Sequence, residues 1–121
     1  MKIAIPVDKG SRPTAVCASF GRAPYFLFYE SETGESTFVE NMALNSPGGA
    51  GIKAAQLIAD NQARAVLTPR CGENAAQVLQ SSGIQLYKTS SASVEESIEN
   101  FLSGELAPLD TIHAGFHHGG D

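Results

Sequence analysis

The sequence predicts an α/β domain in which one five-stranded mixed sheet carries three helices. Two patterns lead there. Short runs rich in β-branched and aromatic residues fill 2–7, 25–30 and 36–40 before any helical period appears. From residue 51 onward, helical periods alternate with short apolar runs, as in β-α-β units built on parallel strands. A third observation bounds the size. The chain has 121 residues, 42% of them hydrophobic, which suits one core of ordinary dimensions, and no internal repeat or second domain is visible.

Lys2-Ile3-Ala4-Ile5-Pro6-Val7 is apolar without polar alternation, as expected of a strand buried on both faces. Residues 9–22 follow as a long loop with Gly10, Pro13, Cys17 and Gly21, and loops of this length in small domains often carry function. The runs at 25–30 and 36–40 are joined by Ser31-Glu32-Thr33-Gly34-Glu35, a hairpin connection that makes them antiparallel. A turn-rich loop over 41–51 then opens a helix ending near Asn61, with Ala54, Leu57 and Ile58 on its apolar face. Its Gly48-Gly49-Ala50-Gly51 run has neither the Gly-Lys-Ser/Thr ending of a Walker loop nor the spacing of a dinucleotide fingerprint. A strand at 64–68 turns through Pro69-Arg70-Cys71-Gly72 into a second helix, which reaches about Ser82 and stops at Gly83. A strand at 84–87 and a helix at 94–103 complete the pattern. Ser93 and Glu96 are spaced as a capping box. Residues 106–121 show no sustained period, so they read as a flexible tail and the domain is assigned to 1–105.

Composition excludes several classes. A net charge of −5 with few, scattered basic residues argues against a nucleic-acid partner. No apolar targeting segment and no run of membrane-spanning length is present, so no membrane association and a cytoplasmic location are expected. Cys17 and Cys71 are the only cysteines, and in such a chain they read as free thiols; a disulfide between them stays open if their Cα atoms approach to about 5.5–6 Å. Asp8 and Glu73 are the only carboxylates expected at the site described next, too few for a two-metal nuclease, and no Gly-x-Ser-x-Gly elbow marks a hydrolase. A non-enzymatic role is therefore expected.

Right-handed crossovers order the five strands 3-2-1-4-5, with only the second antiparallel to the rest. The switch point then falls between the first and fourth strands, and open α/β sheets bind ligands beyond the strand carboxyl ends at that point. Loops 8–22, 41–51, 69–73 and 88–93 all leave from this rim. It gathers Cys17, Arg22, Arg70 and Cys71, with Gly48, Gly49 and Gly72 offering backbone N–H groups next to helix starts. Thiols beside cations suit an anionic metal–sulfur cluster or a soft metal. His113, His117 and His118 in the tail could add imidazole ligands.

The N-terminal Met1-Lys2-Ile3-Ala4-Ile5-Pro6-Val7, then Phe20-Gly21-Arg22-Ala23-Pro24-Tyr25-Phe26, then Asn45-Ser46-Pro47-Gly48 before an Ala-rich helix, resemble the dinitrogenase iron–molybdenum cofactor biosynthesis family over roughly residues 1–106. That family contains nitrogenase cofactor carriers and the orange protein. The resemblance implies a ribonuclease H-like fold. It also implies binding and carriage of a metal–sulfur cluster, containing molybdenum with iron or copper, between donor and acceptor proteins. It implies no turnover. Many relatives have a His before Phe-Gly-Arg, where this chain has Ser19, and Cys71 precedes Gly72-Glu73-Asn74-Ala75 where relatives often read Gly-Pro-Asn-Ala. Cys17, Cys71 or a tail His would have to replace the missing imidazole. The other reading is a cofactor-free interaction or regulatory module that binds a small anion or a partner protein. The chain is expected to be a monomer or weak dimer.

Overall fold

The structure, a computed structural model, describes residues 1–45, 48–109 and 112–113. Its strands are β1 (Lys2–Val7), β2 (Tyr25–Glu30), β3 (Ser36–Glu40), β4 (Ala65–Thr68), β5 (Cys71–Gly72), β6 (Gln85–Lys88) and β7 (Ile112–His113). Its helices are α1 (Ala50–Asp60), α2 (Glu73–Ser81) and α3 (Val94–Leu102), and a single 3-10 turn spans Met42–Asn45. The main sheet runs β3-β2-β1-β4-β6. β2 pairs antiparallel with both neighbours, while β1, β4 and β6 are mutually parallel. This is the expected α/β architecture, with β6 as the fifth strand of the predicted order. The added pair, β5 with β7, forms a small second sheet in which Gly72 lies opposite His113.

Strand alternation divides the core in two. Ile3, Ile5 and Val7 join Leu27, Leu67, Val94 and Ile98 beneath α3. On the other face Ala4, Phe26, Phe28 and Val66 pack against Ala54, Ala55, Ile58, Ala76 and Leu79 from α1 and α2. Small residues on both helices let them lie close to the sheet and to each other. At the start of α3, the Ser93 hydroxyl accepts from the Glu96 N–H at 3.1 Å, but the Ser93 N–H donates to the Ser91 Oγ at 3.0 Å, so the reciprocal half of the capping box is supplied by a neighbouring serine.

The 9–22 loop folds back across the carboxyl end of β1. The Cys17 N–H donates to the Pro6 carbonyl at 2.8 Å, and the Val16 N–H donates to the Ala92 carbonyl at 2.8 Å, tying the loop to the segment before α3. At the far side of the sheet, the stretch expected to begin a free tail is hydrogen-bonded to β6. The Lys88 N–H donates to the Ala107 carbonyl at 2.9 Å, and the Leu109 N–H to the Leu86 carbonyl at 2.9 Å. Leu109 is buried there. Among the described residues, no helix is long and apolar enough to cross a membrane.

Candidate functional site

The parallel strands β1, β4 and β6 end on one rim, and a cavity on that rim lies at the starts of α1 and α2. It encloses ≈ 640 Å³, within the range of small-molecule sites, and is lined by 18–22, 49–52 and 70–75. Three small residues bring its walls together. A Cβ on Gly21 would come within 3.1 Å of the Gly51 backbone, so a side chain at residue 21 would push the 18–22 loop a few tenths of an ångström off the first turn of α1. A Cβ on Gly51 would in turn meet the Ala75 methyl at 3.4 Å, at contact distance, so α1 and α2 lie close together here.

Both helices enter the cavity without a side-chain cap. Gly49 precedes α1 in the left-handed region, φ 69° and ψ 23°, a conformation that side chains disfavour. Gly72 precedes α2 in extended conformation. Helix geometry leaves the first-turn N–H groups of each without intrahelical acceptors, and their partial positive charge favours anions. The charged side chains of the lining are Arg22, Arg70 and Glu73. Two cations and one carboxylate give this spot the opposite sign to the chain, whose net charge is −5. Arg22 and Arg70 are exposed, and among the described residues neither takes part in an ion pair. The Arg22 guanidinium donates from Nη1 to the Leu44 carbonyl at 3.3 Å. Thr68, buried at the end of β4, donates its hydroxyl to the Arg70 carbonyl at 3.0 Å and so shapes the turn that carries Arg70.

Of the residues singled out in the sequence, Arg22, Gly49, Arg70, Cys71 and Gly72 line this cavity, while Cys17 and Gly48 are outside its lining. Both thiols are free. Cys71 is 1% exposed and packs into the core beneath α1 and α2. Burial pushes its thiol up to about 12. Cys17 is half-buried at the edge of the same core; burial raises its pKa, the Ser19 backbone opposes this, and the Asp8 carboxylate adds to it. The backbone of His113 lies opposite Gly72, next to the cavity. His117 and His118 lie outside the described residues. Among the described residues, no group of three or more His, Cys, Asp or Glu side chains is arranged to hold a metal ion. The site is thus furnished mainly with positive charge and N–H donors.

Two residues at the cavity were given no role from sequence. Phe20 is buried in the cavity wall and stacks at 5.4 Å, tilted by 58°, on the fully buried Phe26. Asn41, 2% exposed, ties three segments behind the cavity. Its Nδ2 donates to the Gly21 carbonyl at 3.2 Å and the Ala23 carbonyl at 2.8 Å, and its Oδ1 accepts from the Ala43 N–H at 3.0 Å. An Asn after a strand reads as an ordinary turn residue, so no local signal separates it from its neighbours.

The family model described as "dinitrogenase iron-molybdenum cofactor" matches residues 1–104. The chain belongs to this family. The apo form of the orange protein from Desulfovibrio gigas superposes with a TM-score of 0.85 at 30% identity, over 90% of this chain and 92% of that one. The Thermotoga protein TM1290 superposes with a TM-score of 0.80 at 30% identity, over 92% and 95% of the two chains. Uncharacterized protein MJ0580 of Methanocaldococcus jannaschii is 36% identical over 113 residues, 91% of this chain and 92% of its own length. Membership of the dinitrogenase iron–molybdenum cofactor family connects the protein with that cofactor, and its neighbours share the fold in which the cavity is built.

The burial of Cys71 predicts a reactivity order. A thiol pushed up to about 12 is almost wholly protonated at pH 8, and the protonated thiol does not alkylate. Iodoacetamide at pH 8 is expected to label Cys17 first and Cys71 only when the fold opens, as read by peptide mass spectrometry after timed quenching. The same group links stability to pH. Its folded pKa lies above the ordinary 9.0, so the unfolded chain releases the proton first as pH rises. Its contribution to stability is full below pH 9.0 and is lost progressively towards about 12. A Cys71→Ala variant is expected to lose less stability than the wild type between pH 9 and 11 by urea titration, and equal slopes would contradict this linkage.

Proposed function

We propose that the protein is a non-catalytic carrier of an anionic metal–sulfur cluster, of the iron–molybdenum or molybdenum–copper type, passed between a donor and an acceptor protein. One observation carries the reading. Two helix N-termini without side-chain caps and the cationic side chains of Arg22 and Arg70 meet at one cavity large enough for a small cluster. Arg22, Arg70 and the backbone N–H groups that follow Gly48, Gly49 and Gly72 would hold the cargo by charge and hydrogen bonding. Membership of the family supports the cluster as the anion.

Coordination is the finer part of the proposal. Cys71 is the thiol beside the cargo, and a soft metal would have to displace the proton that burial retains on it. Cys17, His113, His117 and His118 are the further candidates for ligation. Holding by charge and amides is the stronger element, because the described residues supply those groups and no three-ligand cluster.

The test is anaerobic incubation of the metal-free protein with tetrathiomolybdate and Cu(I), followed by gel filtration with metal and sulfide analysis. Molybdenum and sulfide are expected to co-migrate with the protein and to give visible charge-transfer absorption. A protein fraction free of both would sink the carrier reading. Retention by a Cys17→Ser/Cys71→Ser variant would leave the charge-and-amide cradle standing and remove thiol ligation. If inorganic phosphate competes with tetrathiomolybdate on equal terms, the site is a general small-anion site and the regulatory alternative takes precedence.

A further inference from the structure

We infer that Asn41 is the positioning residue that aims Arg22 at the ligand of the cavity. This inference rests on the reading of that cavity as an anion site. The two Nδ2 protons bind the carbonyls of Gly21 and Ala23, the residues immediately before and after Arg22. The backbone of Arg22 is thereby held on both sides by one carboxamide. The far end of the side chain is referenced to the same residue. Oδ1 of Asn41 accepts the Ala43 N–H, and the Asn41 carbonyl accepts the Leu44 N–H at 3.1 Å, which together fix the 3-10 turn. The Leu44 carbonyl of that turn accepts the Arg22 guanidinium. Peptide and guanidinium are both anchored to Asn41, and the loop closes on itself.

The side-chain chemistry required is narrow. The residue must donate twice and accept once from a buried position. A carboxylate of the same shape has no donors, a serine hydroxyl has a single donor, and glutamine places the amide one methylene further out. An exposed arginine left to itself samples many rotamers, and ordering it on binding costs affinity. Anchoring both ends removes part of that cost before the ligand arrives.

The test is a double-mutant cycle read with tetrathiomolybdate as the probe, titrated anaerobically by absorbance at low ionic strength. Arg22→Ala is expected to weaken binding about tenfold, the scale of one charge-assisted hydrogen bond. Asn41→Ser is expected to weaken it several-fold, and the double variant to bind no worse than Arg22→Ala alone, because Asn41 acts through Arg22. Ile98→Ala, in the core on the opposite face of the sheet, controls for lost stability and is expected to leave affinity unchanged. The inference is overturned if Asn41→Ser binds like the wild type, or if the losses from Asn41→Ser and Arg22→Ala multiply in the double variant. Should the Asn41 variants fail to fold, the wild type decides by nuclear magnetic resonance: the Arg22 guanidinium is expected to rotate slowly, and free rotation overturns the inference. An Arg22→Ala variant with unchanged affinity would bring down both this inference and the place of Arg22 in the carrier site. A weakened Arg22→Ala with an uncoupled Asn41→Ser would bring down this inference alone.

Discussion

Removing both guanidinium groups, in an Arg22→Ala/Arg70→Ala variant, is expected to weaken tetrathiomolybdate binding about a hundredfold at low salt. The magnitude follows from two charge-assisted contacts, each contributing on the order of 1.5 kcal/mol when made to a dianion. Stability should hardly move, because both side chains are exposed and, among the described residues, the only side-chain hydrogen bond lost is the one from Arg22 to the Leu44 carbonyl. Salt provides an internal check. At about 1 M ionic strength the screening length falls to roughly 3 Å, and the gap between variant and wild type should narrow markedly. Isothermal titration at several salt concentrations measures both effects. A double variant within twofold of the wild type at low salt would show that backbone N–H groups suffice and that the two arginines are bystanders. Glu73, exposed in the first turn of α2, works the other way, since its carboxylate competes for the same N–H dipoles.

The second large effect is on stability. Phe26→Ala is expected to cost about 3–5 kcal/mol, lowering the melting temperature by roughly 10–20 °C. Phe26 is fully buried near the start of β2, on the sheet face that supports α1 and α2. Truncation leaves a cavity there, and it also removes the ring against which Phe20 leans. Because Phe20 lines the cavity of the proposed site, the variant should bind tetrathiomolybdate more weakly even where it remains folded. Thermal unfolding followed by circular dichroism measures the first effect and titration below the transition the second. A loss under 1 kcal/mol would mean that the core collapses around the missing ring.

Much of the architecture could be read from residue patterns, because those patterns are burial patterns. The unbroken apolar run of β1 reflects a strand covered on both faces. The Gly-containing hairpin loop before β3 and the Gly residues that follow α2 and α3 reflect backbone conformations that other residues resist. From the strand order came the rim, and with it the meeting of Arg22 and Arg70 from distant parts of the chain. Depth was less legible. Whether residue 71 points into the core or the cavity depends on how the chain leaves β4, and the structure buries Cys71 in the core although the residue also borders the cavity. The β5–β7 pair and the attachment of Ala107 and Leu109 to β6 were also not anticipated. They consist of backbone hydrogen bonds between segments far apart in sequence, and such bonds impose little pattern on side chains. Asn41 escaped for a related reason: its importance lies in which carbonyls surround it, and those carbonyls belong to residues of every type.

Among the described residues the two margins of the main sheet differ, and a difference of this kind bears on strand addition between copies. Outside β6, the 107–109 stretch already uses outward-facing backbone groups, including the Lys88 N–H and the Leu86 carbonyl. β3, at the other margin, has β2 as its only strand partner among the described residues. A molecule with a single open margin can join one other molecule by strand addition, and in doing so consumes the margin on both. Growth by that route ends at a two-fold pair, whereas a sheet open on both sides could propagate into a fibre.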